Sequence, residues 1–304
     1  MTSRQEQSAF EAIWDELTAE PEVRPSAFPK GFVLGGQPGA GKSNLIHRIN
    51  AEMNGNLMII NGDEFRRYHP DFDAIQAQYG KDAPKHTAEF SAKMTGLVLE
   101  RALNEQYNVS IEGTFRTAEV PMATLDKMHE HGYQTAVHIQ TAPTEISWQS
   151  TLERYDDMLR VGETPRYTDK AHHDLVVDSL PGNADAVFES GKADSFKVYS
   201  REGLIFDDRI HLGSTPSVAI DVELHRNSRL LDGLEKEYQE KHHLLSDIQK
   251  LVVNESEKII KDLPPAEQVQ AKIYLYSGQL TQLQQTQSTE QRPSEHAPDV
   301  EIDR

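Results

Sequence analysis

Short apolar runs alternate with amphipathic stretches over the first two thirds of the chain. Phe32-Val33-Leu34, Leu57-Met58-Ile59-Ile60 and Asn108-Val109-Ser110-Ile111 are brief, apolar and bounded by turn residues, which predicts buried strands. Residues 134–139 form a fourth, whose alternation of polar and apolar positions places it nearer a sheet edge. Residues 195–199 and 203–206 are two further short strands, joined through Arg201-Glu202-Gly203. Helical periodicity fills the intervals at 43–53, 71–79, 86–103, 121–131, 146–161 and from the turn at 165–169 through Leu180. Phe90, Met94, Leu97, Val98 and Leu103, for example, make one apolar stripe. Strand and helix in alternation predict an α/β fold, with a mostly parallel sheet flanked by helices.

Both ends of the chain differ from this middle. Residues 5–19 read as an amphipathic helix with Phe10, Ile13, Trp14 and Leu17 on one face, either packed beside the core or open to a partner. Pro21, Pro25 and Pro29 then mark a linker. From Thr215 onward, Leu231, Leu234, Tyr238, Leu245, Ile248, Val252 and Ile259 recur at helical spacing, which predicts one long amphipathic helix. Pro264-Pro265 breaks it, and residues 266–283 form a second helix of a hairpin. Residues 284–304 are polar and rich in Gln, Glu and Pro, the composition of a disordered tail. The expected organisation is an N-terminal helix and linker (1–30), a core (31–214), a C-terminal helical extension (215–283) and a tail (284–304).

Composition narrows the class. The chain has 304 residues, 37% of them apolar, and a net charge of −18. Such a surface repels nucleic acid and anionic membranes, so neither is an expected partner. Without cysteine there are no disulfides, thiolate metal sites or Cys nucleophile. The acidic N-terminus does not read as a signal peptide, and no apolar run approaches the length of a membrane span. A cytoplasmic protein is expected.

Gly36-Gln37-Pro38-Gly39-Ala40-Gly41-Lys42-Ser43 fits the phosphate-loop pattern G-x-x-x-x-G-K-[ST] at every fixed position. Glycines let the backbone curl so that successive N–H groups cradle phosphate oxygens. Lys42 then reaches the β- and γ-phosphates, and the Ser43 hydroxyl is a ligand for Mg²⁺. A strand precedes the motif and a helix follows, as the motif requires.

Two more strand ends carry polar groups. Asn61-Gly62-Asp63-Glu64-Phe65-Arg66-Arg67 follows the second strand, and an acid there lies at the ligand-binding edge of an α/β sheet. Asp63 is the candidate general base or magnesium-associated carboxylate, and it also suits a helix N-cap. Glu64 is expected to face solvent, and Arg66 and Arg67 to face either phosphate or solvent. Glu112-Gly113-Thr114-Phe115-Arg116-Thr117 follows the third strand. There Glu112 and Thr114 are suited to hydrogen-bond a substrate, and Arg116 to clamp a phosphate through its planar fork. A capped loop is the competing reading. Arg154 and Arg160 lie on a later helix, where an arginine either neutralises a transferred phosphoryl group or is simply solvated. His172 and His173 lack a third metal ligand at suitable spacing and read as surface or packing residues.

These motifs, in this order, resemble the zeta toxins of bacterial toxin–antitoxin systems. The likeness rests on residues 36–43, Asp63 in its Asn-Gly-Asp-Glu-Phe-Arg context, and Glu112-Gly113-Thr114-Phe115-Arg116-Thr117. It extends to Tyr107-Asn108-Val109, Val120-Pro121, Glu153-Arg154-Tyr155, Arg166 two residues before Thr168, His173-Asp174 and residues 199–203, covering roughly 1–210. The resemblance implies a P-loop kinase fold and transfer of a phosphoryl group from ATP, or GTP in its place, to the 3′-hydroxyl of the amino sugar of UDP-N-acetylglucosamine. Such a reaction chokes cell-wall synthesis, and a separate epsilon antitoxin blocks the nucleotide site. By the same resemblance Lys42 and Ser43 bind ATP and Mg²⁺, and Asp63 is the base. Glu112, Thr114 and Thr124 hold the UDP-sugar, and Arg116, Arg154 and Arg166 attend the phosphates.

One position departs from the family. A Glu is expected on the long helix after Met-Thr or Met-Val, whereas this chain has Met94-Thr95-Gly96. Loss of that carboxylate opens the choice of UDP-sugar. Another small-molecule P-loop phosphotransferase, and a nucleotide-gated binding switch, are the alternative readings.

Overall fold

The computed structural model describes residues 2–263 and 265–290 of the chain. They form two compact units that meet at His225–Arg226.

In the first unit the chain opens with α1 (Ser3–Leu17), β1 (Lys30–Gly35), α2 (Lys42–Glu52), β2 (Met58–Ile60) and the single turn α3 (Gly62–Phe65). Next come α4 (Phe72–Tyr79), α5 (Ala83–His86), α6 (Ala88–Asn104), β3 (Val109–Glu112), α7 (Glu119–Glu130) and β4 (Gln134–Gln140). It closes with α8 (Thr144–Arg160), α9 (Lys170–Glu189), β5 (Phe196–Tyr199), β6 (Leu204–Asp207) and α10 (Pro216–Leu224). The six strands form one sheet in the order β2-β3-β1-β4-β5-β6. All neighbours are parallel except β5 and β6, which are antiparallel.

Alternation along β1 shows how the sheet is buried on both faces. Phe32 and Leu34 join Leu45 and Ile49 of α2 on one side, while Val33 joins Val109, Val137 and α6 residues such as Met94 and Val98 on the other. Helix α1 lies in this unit as well. Ile13 and Trp14 are buried, the Trp14 ring meets Tyr107 edge-on at 5.6 Å, and the Arg101 guanidinium lies 4.0 Å over Trp14. The packed reading of the N-terminal helix therefore describes this face.

Strand β4 is interior, between β1 and β5, and not near the edge its pattern predicted. Thr135, His138 and Gln140 are buried instead of solvated. Thr135 donates its N–H and its hydroxyl to Asp194 Oδ2 at 2.7 and 3.1 Å, and His138 lies between the Phe32 and Tyr199 rings. A side-chain partner inside the protein leaves the same sequence pattern as water outside it.

The unit also continues past 214. Ile220 and Leu224 of α10 enter the main core, and Ser217 bonds Asp185 of α9 through its N–H (2.8 Å) and its hydroxyl (2.6 Å).

The second unit contains α11 (Arg226–Lys241), α12 (Asp247–Ile260) and α13 (Pro265–Glu290), which share a core of Leu231, Tyr238, Leu245, Val253, Ile273, Tyr276 and Leu283. The single long helix expected from 215 is thus three helices, α10, α11 and α12. A 3₁₀ turn at His242–Leu244 ends α11, and a capping box between Ser246 and Gln249 starts α12. Periodicity cannot register such a break, because the apolar residues resume on the next helix. Residues 284–290, assigned to the tail, continue α13, and 291–304 lie outside the described residues. No described helix is long and apolar enough to cross a membrane.

Candidate active site

The sheet order reverses direction around β1, which has β3 on one side and β4 on the other. In an open α/β sheet the crevice beyond the strands' carboxyl ends at such a point is where ligands bind. Here it is a cleft of about 1370 Å³, into which the ends of β1, β2 and β3 deliver Lys42, Asp63 and Glu112.

The phosphate loop joins β1 to α2. Gly36, Gly39 and Gly41 have φ of +140°, +77° and +100°, conformations open to glycine and strained for other residues. Space is equally restrictive. A Cβ on Gly36 would lie 2.0 Å from the Gln140 carbonyl oxygen, and one on Gly39 would lie 1.9 Å from that of Ser147. Gln37 is fully buried and donates Nε2 to the Ala142 carbonyl at 2.7 Å, tying the loop to the end of β4. Lys42 Nζ donates to the carbonyls of Gly36 at 2.9 Å and Gln37 at 3.3 Å, and lies 3.8 Å from Glu112 Oε1. Burial lowers the Lys42 ammonium below the ordinary lysine range. Glu112 opposes that shift, Arg154 adds to it, and Asp63 opposes it more weakly. Pro38, Gly39, Gly41 and Ser43 also line the cleft, and Ala40 is buried in the loop.

Asn61 caps α3, accepting the Asp63 N–H at 3.0 Å on its side-chain oxygen. Its Nδ2 donates to Glu112 Oε2 at 3.0 Å, so the second and third strand ends are bonded across the cleft floor. Because Asn61 is the cap, the Asp63 carboxylate is left for the cleft. Glu64 is partly exposed, as expected, and also has a partner the sequence did not show. It lines the cleft and is ion-paired with Arg166, which arrives from the loop between α8 and α9. The helical turn rotates Glu64 toward that loop, a contact separated by 102 residues in sequence.

The 112–117 loop is held in an unusual form. Phe115 has φ +57° and its buried ring packs on Gly35, while its carbonyl accepts Asn183 Nδ2 of α9 at 2.9 Å. A left-handed phenylalanine costs about 1–2 kcal/mol, offset here by ring burial and the Asn183 bond. The twist sends Phe115 into the core and leaves Thr114 and Arg116 on the cleft wall. Arg154 of α8 and Arg166 line the same cleft. Desolvation lowers the Arg154 guanidinium from its ordinary value, Arg166 adds to this, and Asp63 and Glu112 oppose it.

Lys42, Ser43, Asp63, Glu112, Thr114, Arg116, Arg154 and Arg166 therefore line one cleft with Pro38, Gly39 and Gly41, whereas Gly36, Gln37, Ala40 and Thr124 do not line it. Thr124 is on α7, where its hydroxyl donates to the Val120 carbonyl at 3.0 Å, and it is not among the cleft-lining residues. Arg160 is paired with Asp157 at 3.0 Å outside the cleft. His173 is fully buried, with its ring nitrogens 2.9 Å from Ser147 Oγ and 3.1 Å from Asp174 Oδ1, a packing role. Gly96 lies exposed on α6, and a Cβ there would meet nothing within 4 Å. Sequence reading missed Glu64 and left Arg66 open. An Asp-x-x-Arg spacing on a helical turn was the available signal for the Arg66 contact with Asp63.

Comparison with known proteins agrees with this geometry. The zeta toxin family profile matches residues 15–211. Toxin zeta of Streptococcus pyogenes is 36% identical over 200 residues, covering 65% of this chain and 70% of that protein. Toxin PezT of Streptococcus pneumoniae serotype 4 is 35% identical over 198 residues, covering 64% of this chain and 78% of that one. A solved structure from the PezAT chromosomal toxin–antitoxin system of Streptococcus pneumoniae superposes with a TM-score of 0.66 at 28% identity, over 74% of this chain and 88% of that chain. The chain belongs to the zeta toxin family of P-loop kinases.

Proposed function

We propose that this kinase transfers the γ-phosphoryl group of ATP to a sugar hydroxyl of a UDP-sugar, with UDP-N-acetylglucosamine the first candidate, and so withdraws a cell-wall precursor in the bacterial cytoplasm. The convergence of Lys42, Asp63, Glu112, Arg154 and Arg166 on one cleft carries the reading. Loop residues Pro38, Gly39, Gly41, Lys42 and Ser43 share the cleft with the Asp63 carboxylate, which supports a nucleotide and an acceptor bound side by side.

Each residue then has a role. The loop 36–43 binds the triphosphate, Lys42 contacts the β- and γ-phosphates, and Asp63 orients the acceptor hydroxyl and takes its proton. The hydroxyl oxygen bonds to the γ-phosphorus as the bridging P–O bond to ADP breaks. Arg154 and Arg166 stabilise charge on the transferred group. Glu112, Thr114 and Arg116 hold the acceptor, and Thr124, the remaining position that the family resemblance implies, lies off the cleft lining. Ser43 is a hard oxygen donor next to the loop, and among the described residues no three acids or histidines cluster to hold a metal. That donor set fits a magnesium ion that takes most of its ligands from nucleotide and water, where it neutralises phosphate charge.

The electrostatics support an anionic acceptor. In a chain of net charge −18, the cleft lining carries nine lysines and arginines against seven acids, a local excess of positive charge. We also propose that a separate epsilon-type antitoxin covers this cleft, as the toxin–antitoxin origin of the PezAT structure suggests.

The test is mass spectrometry of purified protein with ATP, Mg²⁺ and a panel of UDP-sugars. A gain of one phosphoryl group, absent with Asp63→Ala, is the expected result. Product formed at the wild-type rate by Asp63→Ala removes the base assignment, and ATP binding without any product removes the acceptor class. Gly96→Glu in the same panel reports whether the missing carboxylate broadens sugar choice.

A further inference from the structure

The carbonyl groups of the phosphate loop are held by two different cations. Lys42 takes those of Gly36 and Gln37, and Ala40 N–H also donates to Gln37 at 3.2 Å. Gly41 accepts Asn44 N–H at 3.0 Å in the first turn of α2. The carbonyls of Gly39 and Ala40 meet Arg201, from the turn between β5 and β6. Arg201 Nη2 donates to Gly39 at 2.6 Å, and Nε approaches the Ala40 carbonyl at 3.4 Å. Nη2 also donates to Ser150 Oγ of α8 at 2.8 Å. One guanidinium thus links the loop, α8 and the β5–β6 turn, across 162 residues of chain.

The direction of these bonds matters. In a trans peptide the C=O and the following N–H point to opposite sides of a rigid plane. A donor on the Ala40 carbonyl therefore turns the Gly41 N–H the other way, into the concave side where successive N–H groups bind anions. The glycines themselves do not hold this arrangement, because they are the residues freest to leave it. Lys42 must divide its three N–H donors between its own two carbonyls and a phosphate. Arg201 bonds a different pair of carbonyls and spans both with one planar fork.

We propose that Arg201 is a positioning residue of the nucleotide site. It clasps the Gly39–Ala40 segment, is anchored on Ser150, and fixes the Gly41 N–H for phosphate before nucleotide arrives. The proposal rests on the reading that this loop binds a nucleoside triphosphate.

Isothermal titration of the full chain with MgATP tests it, using wild type, Arg201→Met, Arg201→Lys and Ser150→Ala, with the unliganded melting temperature of each. Arg201→Met is expected to weaken binding about tenfold, the scale of a lost charged hydrogen-bond pair. Ser150→Ala, which leaves the guanidinium in place but unanchored, is expected to weaken binding in the same direction by about threefold. Arg201→Lys is expected not to recover, because a point ammonium lacks the fork that spans two carbonyls. Wild-type affinity in Arg201→Met overturns the clasp. So does a loss in Arg201→Met that Lys repairs while Ser150→Ala binds normally, the pattern of a direct contact with phosphate. If Arg201→Met fails to fold, Ser150→Ala alone decides, with unchanged affinity counting against the clasp. If the wild-type chain takes up no MgATP, the nucleotide reading itself fails, and the clasp with it.

Discussion

Arg66 Nε donates to Asp63 Oδ1 at 2.9 Å, and its Nη1 is fixed on the Pro84 carbonyl at 2.7 Å and on Thr87 Oγ1 at 3.0 Å. Thr87 is buried, so the guanidinium is set from behind by the segment that leads into α6. One carboxylate oxygen of Asp63 is thereby engaged and the other left for the cleft. Arg66→Met is expected to lower kcat about tenfold, the worth of a charged hydrogen bond that orients a reacting group. ATP affinity should stay within twofold by the same argument, about the scatter between replicate variants. Initial rates of phosphorylated product against ATP concentration separate the two. A rise in KM with kcat unchanged would show that Arg66 serves nucleotide binding instead.

Glu64 holds Arg166 on the rim of the same cleft, with side chains about 42% and 36% exposed. An ion pair this open is worth little, so its contribution is to place Arg166 and not to stabilise the fold. Glu64→Leu is expected to lower kcat about threefold, to leave the melting temperature unchanged, and to quicken proteolysis within residues 161–169. Limited proteolysis beside the rate assay checks this, and an unaltered cleavage pattern with an unaltered rate would refute it.

Gly39 has no room for a side chain, with the Ser147 carbonyl 1.9 Å from where a Cβ would lie. Gly39→Ala must push the loop off α8. The expected loss of MgATP affinity is about a hundredfold or more, as for a cradle whose N–H groups no longer converge. Folding should survive, because the sheet core does not include this residue. Titration with MgATP and circular dichroism together test it.

His138 gives the fold a pH dependence. Its pKa is lowered from 6.5 to about 4, first by burial, then by Lys197, with Asp207 opposing and Arg48 adding a little. An unfolded histidine binds a proton between these two values while the folded one does not. Stability is therefore full above pH 6.5, falls as pH drops through this window, and levels off near pH 4. The contribution at stake is about 3 kcal/mol. His138→Leu should remove this part of the slope. Urea midpoints at pH 7 and pH 4.5 in both proteins isolate it, because His173, lowered in the same direction by burial, is present in each. Equal slopes would show that His138 keeps its proton exchange with water.

Much of the site was legible in the sequence because its groups follow strands directly. Lys42, Asp63 and Glu112 lie within a few residues of β1, β2 and β3, and a parallel sheet brings those ends to one edge whatever the loops do. Arg154 and Arg166 were legible as family positions, but their place in the cleft depends on how α8 and its following loop lie. Thr124 shows the limit. Its place in the motif order was clear, yet α7 points its hydroxyl back to its own Val120 carbonyl.

The sequence by itself determined the strand–helix alternation, the phosphate loop and the three acid or lysine positions, because each rests on local periodicity or on spacing within one turn. Tertiary structure alone decided that β4 is interior, that Glu64 meets Arg166, and that Arg201 reaches the phosphate loop. In each case the deciding partner is distant in sequence or replaces water inside the protein. A hydrophobic pattern records which residues leave water, and carries no record of which groups they meet when they do.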